Sequence, residues 1–64
     1  MDTQLLQHVV RELKKEAEPV QSHLLTGQAK DYAEYRHLCG VLRGLTTAET
    51  TLKDLVQKLE KDDE

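Results

Sequence analysis

The chain has no Phe and no Trp, two Tyr, one Cys, one Pro and three Gly among 64 residues. Each shortage excludes something. A domain of about 60 residues buries only about 60% of the surface that its unfolded form exposes, and without large aromatics this one has little with which to fill a core. The missing burial is expected to come from a partner or from a second copy. The single cysteine, Cys39, cannot form an internal disulfide, which makes a reducing, cytosolic setting the default expectation. No apolar run approaches the roughly 20 residues needed to span a bilayer. The opening MDTQLLQHVV lacks the basic region and the long apolar stretch of a signal peptide. Basic excess is missing as well: nine Lys and Arg face twelve Asp and Glu, for a net charge of −3. Proteins that live on phosphate contacts carry a basic stripe, so nucleic-acid binding is not expected.

What is present is the composition of long helices. Charged residues make up 33%, and Leu, Ala, Glu, Lys, Gln and Arg dominate. Leu6, Val10, Leu13, Ala17, Val20 and Leu24 follow one another in alternating steps of four and three, a heptad seam. Leu5, Val9 and Leu25 broaden it. Asp2 or Thr3 can cap its start, and Gly27 suits the left-handed position that ends a helix. Pro19 falls inside this stretch, where it removes one hydrogen bond at a cost of about 3 kcal/mol. The seam keeps its phase across Pro19, which favours a kinked but continuous helix over about 3–26 rather than a break.

A second series, Tyr35, Leu38, Leu42, Leu45, Glu49, Leu52, Val56 and Leu59, steps by three and four without a slip. Val41, Ala48 and Leu55 widen it, and only Glu49 is polar. The pattern predicts a helix from about 30 to 61, with an acidic end that frays against the helix dipole. A short turn around 26–28 forces the helices antiparallel. The expected fold is therefore all-α, one antiparallel two-helix hairpin domain over 1–64. At about 1.5 Å per residue the arms are roughly 36 and 50 Å long. Pairing outward from the turn exhausts the first arm near Leu52 to Leu55, so Val56 and Leu59 are expected on an overhang that needs a partner.

Three constellations bear on function. Gly40, Gly44 and Ala48 form a row of small residues one turn apart, and each mid-helix glycine costs about 1 kcal/mol relative to alanine. Close approach of another helix would compensate that cost. The approaching helix is either a second molecule or the first arm of the same hairpin, and the row is expected beside the leucine stripe. Arg36 and Arg43, seven apart, share a face that either meets an acidic partner surface or, more simply, is solvated. Tyr32, one turn before Arg36, can stack on it. Cys39 and His37 cannot act as nucleophile and base, because residues two apart on a helix point nearly opposite ways. His8, His23 and His37 share no metal-ligand spacing. No catalytic residue, cofactor, metal or small-molecule substrate is expected. The pairs Lys14/Glu18, Lys30/Glu34 and Asp54/Lys58 suit helix stabilisation by tenths of a kcal/mol each.

The block DYAEYRHLCGVLRGL at 31–45, followed by DLVQKLEKDDE at 54–64, resembles a group of small proteins from tailed bacteriophages. The likeness lies in Tyr35, Arg36, Leu38, Cys39, Gly40, Gly44 and Leu45 and in the acidic end. It covers about half the chain and does not reach the first helix. Such genes accompany head and portal genes, so the resemblance implies a structural or virion-assembly role in the host cytoplasm or in the particle, and it brings no active site with it. Together with the seams, it leads to an accessory acting by helix-mediated association, with itself or with a larger phage structural protein. The interaction residues expected are Gly40, Gly44, Ala48, Leu52, Leu55, Val56, Leu59, Arg36 and Arg43. The alternative is a small acidic regulator that binds and inhibits a host protein.

Overall fold

The computed structural model describes residues 3–62, which form two antiparallel α-helices: α1, Gln4–Leu25, and α2, Tyr32–Asp62. The hairpin is a rod of 50 × 15 × 13 Å. Asp2 as an alternative cap and the last two acidic residues of the tail lie outside the described residues.

The connection between the helices is fixed by local chemistry at both ends. Gly27 takes φ +69°, a conformation that a Cβ would strain. Its N–H donates to the Leu24 carbonyl and that of Gln28 to the His23 carbonyl, both at 3.2 Å. These two bonds are the Schellman closure of a helix end. At the other end the Asp31 carboxylate accepts from the Glu34 N–H at 2.8 Å, while the Glu34 carboxylate accepts from the Lys30 N–H at 3.0 Å. This reciprocal arrangement is a variant of the capping box. It starts α2 at Tyr32, two residues later than the apolar pattern suggests, because Asp31 spends its side chain on the cap.

α1 runs unbroken through Pro19. The ring lies on the solvent side, where the Lys15 carbonyl that loses its helical donor can turn to water. Thr3 does not cap α1 with its side chain. Its hydroxyl instead donates to Glu60 Oε1 at 3.0 Å and accepts from Gln7 Nε2 at 3.1 Å, and Gln7 donates to the same Glu60 oxygen at 2.9 Å. A residue suited to a local cap thus serves as the clasp between the two open ends.

All six residues of the α1 seam are buried or half-buried, as are Leu38, Leu42, Leu45, Glu49, Leu52, Val56 and Leu59 of α2. Tyr35 is the exception, at 50% exposed; it lies where the hairpin opens into the connection, against Tyr32 in an edge-on contact of 6.4 Å. The overhang expected at Val56 and Leu59 does not form, since Val56 is among the three buried apolar residues, with Val10 and Ala17. Counting Cα against Cα from the turn misplaces this end because side chains make the contact. Those of a helix lean towards its N-terminus, so α1 reaches outward, α2 reaches back, and the length of Glu60 spans what remains.

Candidate interaction surface

A two-helix pair has two broad sides, and the residues on them differ. At about 100° per residue, the α1 flank carrying Leu5 and Val9 and the α2 flank carrying Val41, Gly44, Ala48 and Leu55 fall on the same side, because the helices run antiparallel. Leu5 is 73% exposed, Leu55 42% and Val9 and Val41 37% each. From Val41 to Leu59 this flank of α2 carries no charged residue. On α1 this side also carries the exposed Glu12 and Glu16, and near the turn it ends at His23, whose buried Nε2 lies 3.6 Å from Glu34 Oε1. That separation is too long for a hydrogen bond, and Nε2 has no other hydrogen-bond partner.

The opposite broad side is polar. Gln7, Lys53 and Gln57 border a shallow depression over Val10 and Val56, and Lys14, Glu18, Gln21, Thr46 and Glu49 border another over Ala17. Glu49, the one polar residue of the α2 seam, is held here by Lys53 Nζ at 2.9 Å and Lys14 Nζ at 3.8 Å. The hydrogen bond from Lys53 to Glu49 raises the lysine pKa above its usual value. Lys14 therefore reaches across the hairpin to Glu49 instead of along its own helix to Glu18. This side needs no covering, because its charges are solvated and paired.

The residues expected to form an interface divide between these environments. Val56 belongs to the intramolecular seam, and Leu52, Leu59 and Ala48 are half-buried at its edge. Leu55 and Gly44 are exposed on the apolar side. Gly40 lies further round, on the outward face of α2, as the floor of a shallow notch walled by Arg36, Cys39 and Arg43. The glycine row is thus oblique, running from the back of α2 at Gly40 to the seam edge at Ala48, and is not a strip beside the leucines. A Cβ built at Gly40 or Gly44 meets nothing within 4 Å, so α1 does not fill the notch. Arg36 and Arg43 are exposed; Arg36 packs on the Tyr32 ring at 5.9 Å and donates to its hydroxyl at 3.3 Å. Sequence reasoning placed Leu5 and Val9 on the α1 stripe and so missed them as surface. A helical wheel drawn for both arms of an antiparallel pair would have put them beside Leu55.

Among the described residues the structure does not bring His37 and Cys39 together. His37 is exposed on one flank of α2, while Cys39 is half-buried on another. The neighbouring Cys39 side chain, through hydrogen bonding, raises the Tyr35 pKa above its usual value. Among the described residues no three His, Cys, Asp or Glu side chains gather as they would around a metal ion, and no helix is long and apolar enough to cross a membrane. No known family model matches the chain, and comparison with curated proteins and with solved structures returns no match.

Proposed function

We propose that this chain works by helix-mediated protein–protein association, as a structural or virion-assembly accessory of the tailed-phage kind that its Tyr35–Leu45 segment resembles. The observation that carries the association reading is the apolar broad side of the hairpin, on which Leu5, Val9, Val41 and Leu55 are exposed together. Soluble monomers seldom leave such a patch open, and where one persists it marks a contact surface. The hairpin offers a rigid face of aliphatic side chains and bare backbone for such a contact, and the phage setting rests on the resemblance of the Tyr35–Leu45 segment. A larger phage structural protein or another copy of the chain would dock there, in the host cytoplasm or in the particle. Mass spectrometry of particles purified from the phage that encodes the chain tests the setting. Recovery in a fixed ratio to a capsid or portal component is expected, and particles that form normally without the peptide would overturn the assembly role.

A further inference from the structure

We infer that the occupant of the apolar side is a second copy of this chain, the two hairpins closing face to face into a four-helix bundle. The inference rests on the association reading and names its partner. Its first support is area. A folded monomer of 7.3 kDa is expected to expose about 4,200 Å², whereas this chain exposes 5075 Å². The excess, roughly 900 Å², is close to the share of about 800 Å² that each partner gives to a stable interface. Shape leads to the same place: the radius of gyration is 14.9 Å, against about 11 Å for a folded domain of this length. A single layer of two helices hides one seam and leaves one broad side uncovered. A second layer of the same thickness would cover that side and bring the rod towards ordinary proportions.

Charge on the α2 flank does not oppose a copy. A symmetric contact sets each patch against itself, so any charge at its centre meets its own kind. The α2 flank from Val41 to Leu59 has none and is the strip that can face its own copy, while Glu12 and Glu16 are exposed on the α1 flank. The polar side, with Glu49 already paired to Lys14 and Lys53, stays outward. At Gly44 the open space around a hypothetical Cβ lets the facing helix approach the backbone of α2.

Sedimentation equilibrium of the full chain, from micromolar to near-millimolar concentration, tests this directly. The expected mass is twice that of the chain at the upper end. Leu55→Glu and Gly44→Glu, each placing a carboxylate on the apolar side, are expected to raise the dimer dissociation constant at least about tenfold. Gln57→Glu, which adds the same charge on the polar side, is expected to leave it unchanged. Far-UV circular dichroism of each variant establishes that helicity is retained. A native chain that stays monomeric with full helicity would overturn the second copy while leaving association with another protein open to the particle experiment. Dimers weakened equally by all three variants would overturn the assigned face.

Discussion

Alanine at Gly40 or Gly44 provides the most direct measure of what surrounds α2. Glycine in a helix interior costs about 1 kcal/mol relative to alanine, chiefly through the backbone freedom that it loses on folding. Alanine normally recovers that amount unless its methyl group collides with a neighbour. Here a Cβ at either position meets nothing within 4 Å, and both residues have ordinary helical backbones, the only positive φ among the described residues being that of Gly27. Each substitution is therefore expected to stabilise the isolated hairpin by about 1 kcal/mol, and the pair by about 2 kcal/mol. For a domain of this size that corresponds to a rise in Tm of about 4–8 °C per substitution. Urea unfolding at low micromolar concentration, followed by the helical circular dichroism signal, is the assay, and the midpoint should move with its slope unchanged. Gly40 faces outward, so its gain should hold at every protein concentration. Gly44 lies on the apolar side, so its gain should shrink as concentration rises and a facing helix meets the new methyl group. A neutral or destabilising Gly40→Ala at low concentration would refute the reasoning, since it would mean that the outward face of α2 is packed against something.

Three further outcomes follow from the same geometry. Val56→Ala is expected to cost about 2 kcal/mol in urea unfolding, through lost burial and the cavity left behind; a change near zero would restore the overhang that the structure removes. Asp31→Ala should cost about 1 kcal/mol by removing the bond to the Glu34 N–H, and Asp31→Asn should recover most of it because an amide oxygen caps as well. The bond to Glu49 raises the pKa of Lys53 in the folded state, so its contribution is fully present below the ordinary lysine value of about 10.4. It is lost as pH rises through the raised folded value. Thermal melts across the alkaline range should therefore show a loss of stability that Lys53→Gln flattens.

How much of this was legible in the sequence depends on the range of the forces involved. The helices, their seams and the end of α1 at Gly27 follow from spacing and from single-residue chemistry, which act over a few residues and are written in order along the chain. The continuity of α1 through Pro19 follows likewise from the unbroken phase of its stripe. Other features were decided between the arms. Thr3 could cap its own helix, but Glu60 arrives from the far end of the chain and takes its hydroxyl. Glu49 interrupts the apolar series on paper, yet Lys14 and Lys53 reach it only when the helices lie side by side. The glycine row could have been filled by α1, but the packed arms leave it open at Gly40 and Gly44. Above all, the broad apolar side belongs to neither helix alone. Leu5 and Val9 read as a widened stripe on one arm and Leu55 as a widened stripe on the other. Only the antiparallel turn brings those two margins to the same side of the rod. Periodicity determines which residues flank a seam, but the handedness and direction of packed helices decide which flanks become one surface.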